Sequence, residues 1–314
     1  EGKIGSQSFD NINLKRKSPI SLEWEIKTVL YLSIIVFTYC LGLLAYKNID
    51  TLGHTVIISV IGLITVASFY YGIKNKKPFQ YGKSESVSNL YDYIVLLGAL
   101  SFITFVAYLQ FKYEVFGTKY GLATFLTMCV LFAAAYIYDH IGILSLAISN
   151  LALWLGITVT PKKLLLNGDF KTFSLVITAI LLAIVLIGIG EYSKRFKFKP
   201  HFRFTYLNFG VHIAFISILS GLFNLNYFII WFLALLISSA LSFIEAYKEK
   251  SFYFILIITG YFYIGLSYSF IKLMDTNIFR SETDLYIMLF YFIITSIALV
   301  FGLIHLNKKL NEHI

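Results

Sequence analysis

Apolar residues in this chain arrive in long blocks separated by short polar runs, with neither the stripe of an amphipathic helix nor the alternation of a strand. Ten blocks have the length of about 17–25 residues that a membrane-crossing helix needs. They are Thr28–Tyr46, Thr55–Ile73, Tyr91–Leu109, Tyr120–Tyr138, Ile141–Val159, Thr172–Gly190, Leu207–Phe223, Tyr227–Tyr247, Ser251–Leu273 and Leu285–Leu306. Only Asp139 and His140 separate the fourth and fifth, and only Asn224, Leu225 and Asn226 the seventh and eighth, which predicts two tight helical hairpins. The pattern predicts an all-α, polytopic transmembrane helix bundle over residues 28–306, flanked by polar tails at 1–27 and 307–314. Ser18 and Pro19 read as the cap and first position of the opening helix, with Glu23 and Glu25 in its first turn and Trp24 at the membrane interface. Aromatic residues from Phe202 onward blur the start of the seventh block.

The stretch from Asp139 to Pro161 carries the clearest packing signal. Gly142, Ser145, Ser149, Ala152 and Gly156 recur at spacings of three and four, which on a helix places all five on one seam open to a neighbouring backbone. The fifth helix is therefore expected to be a central one, packed along its length. Asp139 is expected as an exposed cap at its start, and Pro161 as its stop.

Composition sharpens the membrane reading. Hydrophobic residues make up 58% of the chain and charged residues only 14%, where a soluble domain carries about a quarter charged. Mean hydropathy is +0.76. The net charge of +9 raises the question of a nucleic-acid partner, but the basic residues lie in short loops between apolar blocks, so no nucleic acid is expected. With the N-terminus cytoplasmic, 18 of the 26 Lys and Arg fall on the inside, which predicts both termini on the cytoplasmic face. Cys40 and Cys129 both fall inside apolar blocks and form no disulfide or zinc pattern. The chain opens on Glu1 rather than Met, which leads us to expect residues before it; the polar opening is not a cleavable signal peptide.

Soluble-enzyme motifs are absent: there is no phosphate-binding glycine loop, no His-Glu-x-x-His and no Gly-x-Ser-x-Gly elbow. No catalytic, metal or cofactor residue is assigned. The remaining candidates are polar residues at membrane depth, where placement is costly. Thr205, Asn208 and His212 lie on the seventh helix, and Ser238, Ser242 and Glu245 on one face of the eighth. Folding the hairpin about Leu225 levels His212 with Ser238, Asn208 with Ser242, and Thr205 with Glu245. Two readings stay open: hydrogen-bonded glue between helices, or a proton or substrate site near the cytoplasmic face. Glu245 is expected to reach Thr205, Arg203 or Lys248, while Glu191 reads as solvated.

The run Tyr138-Asp-His-Ile-Gly-Ile-Leu-Ser-Leu-Ala-Ile-Ser-Asn-Leu-Ala-Leu-Trp-Leu-Gly156 resembles a family of predicted bacterial membrane proteins known as domain of unknown function 2157. The likeness covers roughly the first six helices. In that family a helix pair ends in a short polar turn, followed by a Leu/Ala/Ser helix closing on Trp-Leu-Gly. The resemblance implies a multi-pass protein of the bacterial inner membrane and supplies no activity. Three function classes follow. One is a non-enzymatic membrane module, a scaffold, sensor or assembly partner, whose partners are the lipid bilayer and other membrane subunits. The second is a small-molecule transporter similar to ten-helix drug/metabolite exporters; all four prolines, Pro19, Pro78, Pro161 and Pro200, lie outside helix interiors, which argues against its broken helices. The third, a membrane-embedded lipid enzyme, finds only His201, His212 and Glu245 to build on. The first class is the one expected.

Overall fold

In a computed structural model, the residues described are 22–47, 53–84, 89–117, 121–156, 173–275 and 282–311. Among them the backbone is helical, with no strand. The helices are α1 (Leu22–Lys47), α2 (His54–Asn75), α3 (Asn89–Tyr113), α4 (Gly121–Tyr138), α5 (Ile141–Trp154), α6 (Phe173–Arg195), α7 (Arg203–Asn224), α8 (Phe228–Lys248), α9 (Phe252–Asp275) and α10 (Glu282–Asn311). A short 3-10 turn, Pro200–Phe202, leads into α7, so the aromatic residues that blur this boundary belong to the helix start. Eight helices are long and apolar enough to cross a membrane; the shorter apolar stretches are Thr28–Leu43 within α1 and Ile141–Trp154. The expected cap at Ser18 and Pro19, the side chain of Trp24 and the stop at Pro161 lie outside the described residues. α10 continues into the C-terminal polar run as far as Asn311.

The helices sort into two compact units, Glu1–Trp154 with Phe196–Phe202, and Leu155–Arg195 with Arg203–Ile314. In the first, α2 pairs with α3 and α4 with α5, while α3 also meets α1, α4 and α5. The α2 face turned inward carries Ile57, Ile61, Thr65, Ser68 and Gly72, one residue per turn. Its small members allow a close approach: a methyl at Gly98 of α3 would stand 2.9 Å from Ser68 Cβ. The first unit is thus organised on α3.

α5 departs from its expected role. It ends at Trp154, five residues before the end of its apolar block, because Gly156 adopts the left-handed conformation (φ +77°) that terminates helices. Its 14 residues span roughly 21 Å at 1.5 Å each. Its packed face is Ile143, Leu144, Ala147, Ile148 and Ala152. Of the small-residue seam, only Ala152 is buried. Ser149 is exposed, and the hydroxyls of Ser145 and Ser149 donate to their own helix, to the carbonyls of Ile141 and Ser145. Hydroxyls satisfied within the helix need no neighbour, so small size did not dictate close contact here. We expect Ser149→Leu to change thermal stability by less than about 0.5 kcal/mol, as surface substitutions do; a larger loss in detergent-purified protein would restore the seam.

In the second unit α7 is the hub. It packs most extensively on α6 and also meets α8 and α9. Gly210 is what allows the α6 contact. A methyl there would stand 2.7 Å from Ile187 Cγ1 and 3.2 Å from both the Ala183 carbonyl oxygen and the Ile187 nitrogen, so two backbones nearly touch. α10 is the opposite case: its most apolar 18-residue stretch has no buried residue, whereas 61% of the corresponding stretch leading through α7 is buried.

Candidate functional site

The first unit closes around the turn between α4 and α5. Asp139 takes a left-handed conformation (φ +57°) that carboxamide and carboxylate residues tolerate. The His140 N–H then donates back to the Ala135 carbonyl at 3.1 Å, closing α4. The expected capping role passes to the next residue: the Ile143 N–H donates to His140 Nδ1 at 3.2 Å, so the imidazole ring caps α5. Accepting at Nδ1 places the ring proton on Nε2 and requires a neutral ring. Burial pushes His140 down to about 4, which agrees with that state. Gly142 makes room for the ring, since a methyl there would stand 2.9 Å from His140 Cε1. We expect Gly142→Ala to destabilise by about 1–3 kcal/mol, measured by unfolding in fixed detergent; an unchanged midpoint would mean the ring turns away freely.

His140 also predicts a pH dependence. Its folded pKa lies below the ordinary value of 6.5, so the unfolded chain binds the proton first. Stability from this group is complete above about pH 6.5 and falls as pH drops toward 4. Between pH 7.5 and pH 5 the loss is roughly 2 kcal/mol, and His140→Gln should flatten that slope. A parent protein equally stable at both pH values would contradict the buried neutral ring.

Freed from capping, the Asp139 side chain is buried rather than exposed. It is 6% accessible, between Lys199 at 2% and His201 at 12%. Asp139 Oδ1 lies 3.0 Å from Lys199 Nζ and 2.8 Å from His201 Nε2. Lys199 supplies the opposite charge that faces Oδ1. Oδ2 accepts the Ser84 N–H at 2.6 Å. Lys199 is fixed twice more: its N–H donates to the Tyr81 carbonyl at 2.7 Å, and its ammonium sits 4.7 Å from the centre of the Phe79 ring. Around the charges stands an aromatic nest. Phe198 stacks on Tyr136 at 5.8 Å and meets Tyr81 edge-on at 5.9 Å, while the fully buried Phe202 meets Tyr136 edge-on at 5.2 Å. Lys197 and Lys199 are both left-handed (φ +53° and +49°), uncommon for long side chains and tolerated here because the segment is held from several sides. The lock ties together the loop after α2, the α4/α5 turn and the segment 196–202, which therefore lie at one end of this unit.

The second unit has its own charge cluster. Arg203 forks to Glu191 Oε1 at 2.6 Å and to Glu249 Oε2 at 2.8 Å, and Lys194 reaches Glu249 Oε1 at 2.7 Å. The Arg203 guanidinium, with Lys194 beside it, holds the Glu249 carboxyl below its ordinary range. Glu191 is thus paired rather than simply solvated. Arg203 takes Glu249 instead of the expected Glu245, which is exposed one turn earlier.

The predicted polar stripe is also rearranged. His212 Nδ1 and Tyr261 Oη are 2.7 Å apart, and Asn208 Oδ1 accepts from Tyr253 Oη at 2.7 Å, so both polar groups bond to α9 rather than to the serines of α8. The Tyr261 ring stacks on Phe215, its plane turned by 2°. Thr205 is buried, and Ser238 and Ser242 are half-buried. These tyrosines are not among the residues singled out from the sequence; their one signal is that Tyr253 and Tyr261 stand eight residues apart, about two turns along one face. Among the described residues, no group of three His, Cys, Asp or Glu is placed to hold a metal ion. An open cavity of about 360 Å³, lined by Ile35, Thr38, Tyr39, Gly42, Leu43, Leu100 and Thr104 of α1 and α3, is mostly apolar.

These features define an all-helical, multi-pass membrane protein. No family model, characterised protein or solved structure matches the chain.

Proposed function

We propose that this chain is a non-enzymatic module of a membrane assembly, a scaffold, sensor or assembly partner that docks further membrane subunits. The observation that carries the reading is α10, a spanning-length helix whose most apolar 18-residue stretch has no buried residue and which has open space at Gly302. The polar residues support it, since Asp139 and Lys199, and Arg203, Glu191, Glu249 and Lys194, are engaged with one another in the two clusters. The reading includes ten spans, both termini on the cytoplasmic face, and kinship with the predicted bacterial inner-membrane family that the Tyr138–Gly156 run resembles. The grouping of the loop after α2, the α4/α5 turn and segment 196–202 at one end fits that alternation.

Two measurements test it. Extracted in native polymer discs, the chain should run as an assembly heavier than one 35.9 kDa copy. Current recordings on reconstituted vesicles should show no saturable response to a metabolite panel. A lone monomer with a saturable current would establish the transporter alternative instead. For topology, single cysteines at Lys76 and Lys112, in a variant lacking Cys40 and Cys129, should label from opposite sides; labelling of both from outside would refute the orientation.

A further inference from the structure

Beside the lock at Asp139 lies a surface of lysines and aromatic rings. Lys74, Lys76, Lys77, Lys83 and Lys197 are exposed on the two segments that the lock fastens. Between them stand three large exposed aromatic side chains, Phe79 (58% accessible), Tyr81 (69%) and Phe196 (60%). The described residues of segments 74–84 and 196–202 contain no carboxylate. Asp139, which touches both segments through Ser84 and Lys199, has its side chain buried and is matched by Lys199. The exposed ammonium groups of Lys74, Lys76, Lys83 and Lys197 thus stand on one surface with these rings.

The position of this surface selects its partner. α2 is a 22-residue apolar helix ending at Asn75, so Lys76 onward stands where a membrane-spanning α2 would meet the headgroup layer. Exposed aromatics beside lysines at that depth suit an interface in which rings insert and ammonium groups meet phosphate. Lysine rather than arginine suits a mobile layer of phosphates over a single bidentate ligand. The backbone bond from Lys199 to Tyr81 and the ring contacts of Phe198 with Phe79 and Tyr81 hold the two segments side by side, so the surface is preformed.

We propose that residues 74–83 and 196–198 form a preformed binding surface for the headgroups of anionic phospholipids. This rests on α2 spanning the bilayer. The test reconstitutes the full chain in phosphatidylcholine vesicles carrying an equal small fraction of a headgroup-photoreactive phosphatidylglycerol or phosphatidylcholine, and maps the labelled peptides. The anionic probe should label the two segments at least about fivefold more than the neutral one, the factor expected for a single lysine at an anionic surface. Exchanging Lys76, Lys83 and Lys197 for glutamine should bring the ratio close to one, with the unfolding midpoint in pure phosphatidylcholine unchanged. In the parent, raised salt should shrink the ratio. Equal labelling by both probes, or a ratio that survives the triple substitution or high salt, overturns the proposal. Loss of labelling to inorganic phosphate at matched ionic strength also overturns it, in favour of a soluble phosphate ligand. Labelling by neither probe rejects the placement of α2 as well, which separates that failure from loss of lipid selection alone.

Discussion

Exchanging Asp139 for asparagine should destabilise the protein by about 3–5 kcal/mol, the scale for removing one partner of a buried ion pair. The replacement keeps the size of the side chain and still accepts the Ser84 N–H, so what disappears is the charge facing Lys199 and His201. Lys199 is then left 2% accessible without its counter-ion. Lys199→Met should cost a comparable amount by stranding the carboxylate. The double variant Asp139→Asn/Lys199→Met should cost much less than the sum, because both buried charges leave together. Equilibrium unfolding in mixed micelles measures all three. An Asp139→Asn protein within about 0.5 kcal/mol of the parent would mean that water reaches the cluster and that the lock contributes nothing.

That lock shows where the sequence was legible and where it was not. Apolar blocks define helices by length alone, so the element order could be read directly, and the ends agree closely for α2, α4, α8 and α9. Asp139 was misread because a two-residue turn between apolar blocks looks solvent-exposed. What buries it is a lysine sixty residues further on, and no local pattern announces that partner. The same holds for His212 and Asn208. Helical spacing identified them as a polar pair, but their partners sit on α9 rather than across the nearer hairpin. Local periodicity reports which face a residue occupies, not which helix arrives against that face. The small-residue seam of α5 is the converse error. Serine hydroxyls that bond to their own helix carry no demand for a neighbour, whereas an isolated glycine beside a neighbouring backbone does.

Gly210 is that glycine, and its replacement by leucine should cost about 3 kcal/mol, the upper part of the usual overpacking range. The first added carbon would already stand 3.2 Å from two backbone atoms of α6. Backbone cannot rotate aside as a side chain does, so relief requires α6 and α7 to separate. That separation loosens Val176, Ala179, Leu182, Ala183 and Leu186, the buried face of α6. Helix propensity works in the other direction, since leucine favours a helix over glycine by roughly 1 kcal/mol or less. Gly188→Leu supplies the control on the same pair of helices: nothing lies within 4 Å of a methyl there, so that variant should match or exceed the parent. Thermal unfolding of the three proteins in one detergent separates the effects. Equal midpoints for the Gly210 and Gly188 variants would mean that the α6–α7 contact yields to a side chain at little cost, and that α7 does not organise its unit.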